Sequence, residues 1–141
     1  MQEIERTWVY RCDLAVRWGD MDAYGHVNNA AYFRYMEEAR VQMLAALGST
    51  CLGQQQVGAV VITAGCTFLR PIVYPNDVRI DCYLGESGRS SLMSYYELYT
   101  ASAPETLACE GYAKIVWVDH DAGQSVPVPQ NVKQALLAHK I

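Results

Sequence analysis

The sequence predicts an α+β fold: a five-stranded antiparallel sheet wrapped around one long helix, with a short helix near the C-terminal end. Three observations carry that expectation. Apolar residues recur at every second position in four stretches, the pattern of a half-buried strand, and a fifth stretch is β-branched and apolar on both faces. In one stretch only, residues 29–47, they recur at helical spacing. The strands after that helix are joined by connections too short for parallel crossovers, so the sheet should be antiparallel. A lone apolar helix accompanied by five strands buries best when the sheet curls around it.

The first strand is read from Trp8, Tyr10, Cys12, Leu14 and Val16, which alternate with Val9, Arg11, Asp13, Ala15 and Arg17. A loop rich in Asp, Gly and Asn follows at 18–28. The helix then runs from Asn29 to about Leu47, with Tyr32, Tyr35, Met36, Ala39, Met43, Ala46 and Leu47 on one face. Gly48 supplies its stop. Residues 57–69, VGAVVITAGCTFL, are β-branched and apolar on both faces, which suits a central strand or one that pairs with a second copy. Arg70 and Pro71 end it, and PND at 75–77 makes a turn. Val78, Ile80, Cys82 and Leu84 form the next strand, GESGR at 85–89 turns into Ser91–Tyr99, and APET at 103–106 leads to a strand near Leu107–Val118. A terminal helix is expected around Val132–His139.

At 141 residues, with 51% hydrophobic and 18% charged content, the chain suffices for one ordered domain, 1–141. A net charge of −4 with no basic run gives no footprint for nucleic acid or an anionic membrane. No apolar stretch approaches 18 residues, and MQEIERTWVY carries no secretory signal, so a cytoplasmic setting without membrane insertion is expected. The five cysteines, Cys12, Cys51, Cys66, Cys82 and Cys109, are dispersed, form no CxxC pair and do not cluster with His26, His120 or His139. They read as reduced thiols rather than a zinc site. No G-x-S-x-G elbow, G-x-G-x-x-G turn or phosphate loop appears, which speaks against serine hydrolases of the α/β type and nucleotide-binding enzymes.

The densest polar segment is GDMDAYGHVNN, set at the threshold of the helix. Two readings stand side by side. In the first, Asp22 closes an Asx turn, Gly25 supplies a positive φ, and Asn28 and Asn29 cap the helix. In the second, a carboxylate is aimed at a helix N-terminus, whose free N–H groups carry about half a positive charge and suit a developing oxyanion. His26 is either structural or turned toward a ligand. Glu37 and Glu38 lie on the helix, and the Arg34/Glu38 spacing suggests a surface ion pair. Arg70 and Arg89 are strand-end cations by default. Arg89 is the better phosphate contact, since GRSS combines a charge, two hydroxyls and free amides.

The run WGDMDAYGHVNN followed by AAYFRYMEEAR resembles the hotdog-fold thioesterases of the 4-hydroxybenzoyl-CoA thioesterase type. FLRPIVYPNDVRI and GRSSLMSYYEL also resemble that family, so the likeness spans roughly residues 8–120. The resemblance implies a single hotdog domain and hydrolysis of acyl-coenzyme A to free acid and CoA, with no metal and no bound cofactor. It assigns the catalytic carboxylate to Asp22, with Asp20 at a nearby motif position without such a role. It places carbonyl binding at the backbone amides of Val27, Asn28 and Asn29, beside which His26 is a candidate to orient the thioester or the water, and contacts to the CoA phosphates at Arg89, Ser90 and Ser91. It also implies a homodimer joined sheet edge to sheet edge, often a tetramer, with active sites at the subunit boundary. Three other activities are compatible with the motif: hydrolysis of acyl-carrier-protein thioesters, hydration of an enoyl thioester, and acyl-thioester binding without catalysis.

Overall fold

A computed structural model describes residues 5–49 and 56–138. In chain order it contains β1 (Thr7–Ala15), one 3-10 turn (Trp18–Asp20), α1 (Asn29–Ala46), β2 (Val57–Phe68), β3 (Asp77–Ser87), β4 (Ser91–Thr100), β5 (Cys109–Asp119), β6 (Gln124–Ser125) and α2 (Gln130–Ala138). All pairings are antiparallel and the strands lie in the order β1-β3-β4-β5-β2, with β6 beside β5. Cys51 and His139 lie outside the described residues.

The expected alternation is cleanest in β4. Leu92, Ser94, Tyr96, Leu98 and Thr100 are buried, while Met93, Tyr95, Glu97 and Tyr99 lie on the more open face. The buried row joins Val78, Ile80, Cys82 and Leu84 of β3 and Ala113, Ile115 and Trp117 of β5 in one core. Onto this core α1 presses Ala31, Tyr32, Tyr35, Met36, Ala39, Met43 and Leu44. Each large apolar side chain so buried contributes roughly 1.5–3 kcal/mol. The helix has 18 residues. Asn28 caps its start, its side-chain oxygen accepting from the Ala30 amide at 2.8 Å. Leu47 is the C-cap, and Gly48 follows at φ 81°, the left-handed geometry that ends helices.

Three expectations need correction and a fourth is narrowed. The sheet has six strands, not five: β6 pairs Val118 with Ser125 and Asp119 with Gln124. Two residues are too few to leave a period-two signal. In β1 the register slips between Trp8 and Tyr10, so Val9 is buried and Trp8 is turned out, 44% exposed. One inserted residue reverses the faces before it. Outside, the Trp8 indole N–H donates to Asp81, which also meets Arg11 and Arg79. Of the two places expected for residues 57–69, strand β2 takes an edge and not the centre, with Val61, Ile62 and Phe68 exposed. Finally, Arg34 and Glu38 form no ion pair; Glu38 accepts from Gln42 instead, at 3.3 Å. The ion pairs among the described residues are Arg6–Glu97, Arg11–Asp81 and Arg79–Asp81.

Candidate active site

Residues 18–28 fold back on themselves and dock against the segment leading into β3. Met21 and Val27 form an isolated antiparallel bridge. The Val27 amide donates to the Ile72 carbonyl at 2.8 Å, and the Val16 amide donates to the Asn76 carbonyl at 3.0 Å. Between Met21 and Val27 the chain reverses: the Asp22 amide donates to the His26 carbonyl at 2.8 Å and the Gly25 amide to the Asp22 carbonyl at 3.1 Å. Gly25 has φ 78°, the conformation that glycine adopts at least cost.

Asp22 performs the structural role foreseen for it. Its Oδ1 accepts from the Tyr24 amide at 2.9 Å and from the His26 amide at 3.4 Å, the geometry of an Asx turn. No hydrogen bond within the described residues reaches Oδ2. Asp22 is half-buried, in a hollow lined also by Trp18, Gly19, Met21, Gly25 and Tyr74.

His26, four positions after Asp22, lines a second cleft of about 250 Å³ together with Val27, Asn29, Tyr32, Phe68, Leu69, Arg70 and Pro71. Gly25 of the first hollow and His26 of the second are consecutive residues of the same loop. Tyr32 and Phe68 form one wall as an edge-to-face pair, with ring centroids 4.9 Å apart and planes at 76°. Burial raises the Tyr32 hydroxyl above its ordinary pKa, and the charge of Asp22 adds to the rise.

The expected oxyanion donors divide. The Val27 amide is engaged by Ile72, and the Asn28 amide donates to the Asp20 carbonyl at 2.8 Å. The Asn29 amide, at the first residue of α1, has no partner among the described residues. It points out of a helix N-terminus, where backbone donors attract developing negative charge. Sequence reasoning therefore named a group of amides of which one is free. It missed Tyr32, Phe68 and Arg70 as cleft residues. Arg70 directly precedes Pro71 at a strand end, a pattern that signals termination and nothing about a cleft.

Arg89, Ser90 and Ser91 lie elsewhere. Their carbonyls are engaged, Arg89 accepting from Val128, Ser90 from Trp117 and Ser91 from Gly88. The Arg89 guanidinium and the two hydroxyls have no partner among the described residues. The turn that carries them begins β4, whereas the Asp22 loop packs beside the start of β3, which pairs with the far end of β4. The ten residues of β4 separate these ends by about 30 Å. One chain does not bring its own Asp22 and Arg89 together.

The model of the thioesterase-like superfamily matches residues 16–136. Among solved structures, the PA2801 protein of Pseudomonas aeruginosa, provisionally described as a thioesterase, is 42% identical. It superposes with a TM-score of 0.87 over 91% of this chain and 98% of its own. A provisionally described acyl-CoA thioesterase of Xanthomonas campestris is 30% identical, with a TM-score of 0.74 over 86% of this chain and 99% of that one. The BH1999 gentisyl-coenzyme A thioesterase is 25% identical, with a TM-score of 0.79 over 88% and 99%. With its antiparallel sheet, apolar helix and helix-tip cleft, the chain belongs to the thioesterase-like superfamily and is a thioester hydrolase.

Proposed function

We propose that this enzyme hydrolyses acyl-coenzyme A thioesters in the cytoplasm, with Asp22 as the reacting carboxylate and the Asn29 amide as oxyanion donor. One observation carries the reading: Asn29, whose N–H at the tip of α1 has no partner among the described residues, lines a cleft, and Asp22, whose Oδ2 has none among them either, lines a hollow that shares the same loop. In this reading the thioester carbonyl accepts from Asn29. Asp22 then either takes a proton from the attacking water or itself attacks the carbonyl carbon, forming a mixed anhydride that water opens. Both routes form a C–O bond, break the C–S bond and release CoA as a thiolate. A thiolate leaves readily, so no strong general acid is needed. His26 and Arg70 line the mouth and position the thioester.

The family's domain, with its sheet sleeved around α1 as a single unit over 1–141, supplies the frame. Two copies joined along β2 complete the enzyme, and further pairing makes a tetramer. The exposed edge of β2, twelve residues long and apolar, supports that contact, because an open edge of this kind invites another strand. A second copy also answers the 30 Å gap, since a neighbour's Arg89, Ser90 and Ser91 can meet the CoA phosphates. The coenzyme A carrier is supported by the named acyl-CoA and gentisyl-CoA thioesterases among the similar structures.

Free-thiol release, measured across aromatic, short and long acyl-CoAs and one acyl-carrier-protein thioester, tests the reading. Thiol release from at least one acyl-CoA, with the carrier-protein substrate slower, is the expected result. Tight binding without release, or turnover of the carrier-protein substrate alone, would overturn it.

A further inference from the structure

Both groups assigned to the chemistry hang from one residue that is not among them. Asp20 precedes Asp22 by two positions, and its backbone carbonyl accepts from the amide of Asn28, the residue before Asn29. Its carboxylate oxygen Oδ2 accepts from the Arg17 amide at 3.0 Å and from the Tyr35 hydroxyl at 2.7 Å. Tyr35 stands on the second turn of α1, is 7% exposed, and belongs to the core. The chain therefore closes a loop: from α1 through Tyr35 to Asp20, through the Asp20 carbonyl to Asn28, and back into the helix tip.

We infer that the Asp20–Tyr35 pair is a positioning device for hydrolysis, holding the Asn29 amide and the Asp22 carboxylate in their mutual geometry. This inference rests on the site reading given above. Asp20 does not itself act on the thioester. It lines a separate hollow with Leu14, Ala15, Arg17, Arg34, Tyr35 and Glu38, none of which lines the Asn29 cleft. Burial, reinforced by the bond to Asp20, raises the Tyr35 pKa above its ordinary value, so the phenol keeps its proton and donates. Without the clasp the 18–28 loop keeps its backbone bonds but loses its tie to the side of the helix. The Asn29 amide and the Asp22 carboxylate then drift relative to each other. Misplacement by about 1 Å can cost on the order of 10²-fold in rate.

The test uses Tyr35→Phe, Asp20→Ala, their combination and the near-isosteric Asp20→Asn, assayed for kcat, KM and thermal midpoint on an acyl-CoA that the parent cleaves. Tyr35→Phe and Asp20→Ala should each lower kcat about 10-fold to 100-fold, with KM changed less than about twofold. The double variant should be no slower than Asp20→Ala, because the two residues act as one clasp. Asp20→Asn, which keeps an oxygen for both donors, should recover most of kcat. A lowered thermal midpoint with kcat unchanged would overturn the inference, as would losses that multiply in the double variant. Asp22→Asn, run alongside, separates the two readings. Full activity there sinks the site assignment itself. Loss at 22 with no kcat effect at 20 or 35 sinks the clasp alone.

Discussion

The two ends of the β3–β4 pair are built differently. At one end, the 18–28 loop is held by backbone bonds to Ile72 and Asn76, an Asx turn, a capped helix and the Asp20–Tyr35 contact. At the other, the turn at 88–91 fixes its carbonyls but leaves the Arg89 guanidinium without a partner among the described residues. Under the proposed site assignment, the contrast follows the demands of the reaction. Groups that meet charge appearing in a transition state must already be in place, since their reorganisation adds to the barrier. A cation that meets a phosphate far from the reacting bond can adjust on binding. The first end should govern turnover and the second affinity.

The sharpest way to break this contrast is Asp22→Asn. The amide keeps an oxygen for the Tyr24 and His26 amides, so the loop should persist. Turnover should nevertheless fall by roughly 10²–10⁴-fold, the range for a positioned acid or base, with unchanged thermal unfolding. Thiol-release kinetics and a melting curve read both quantities. Retained turnover would remove Asp22 from the chemistry.

The other end predicts a smaller change in a different constant. Arg89→Ala should raise KM about 10-fold at similar kcat, as expected for one lost charge-assisted bond of about 1.5 kcal/mol. Mixing Asp22→Asn chains with Arg89→Ala chains sharpens the point. If Arg89 serves a neighbour's site, reassembled mixtures regain sites in which both groups are intact, and with them turnover at low substrate. A mixture with no such recovery would place the CoA contact elsewhere. The smallest effect concerns the helix cap: Asn28→Ala should cost about 1 kcal/mol of stability in denaturant titration. An unaltered midpoint would show that the Asn28 side chain contributes nothing at the tip.

Much of this was legible in the residues, because local patterns encode local structure. The helix start at Asn29, the Gly48 stop, the strand alternation of 91–99 and the Asx turn at Asp22 all depend on neighbours within a few positions. What escaped depends on partners far along the chain. The Val27 amide is occupied because Ile72 lies across from it, 45 positions on, and no local signal announces that. Trp8 faces outward because β1 slips by one residue against β3, where Asp81 waits for its indole. Arg34 and Glu38 have helical spacing suited to a pair, yet Gln42 competes for the same carboxylate. Arg70 looked like a full stop after a strand and turned out to line the cleft.

The division of labour within the Asp22 carboxylate has a practical consequence. One oxygen shapes the loop and the other is left over, so asparagine at this position is a quiet replacement: it retains the architecture while stripping out the charge. Such a chain would be the natural snare for an uncleaved substrate. Crystals soaked with acyl-CoAs should then reveal which acid this enzyme was shaped to free.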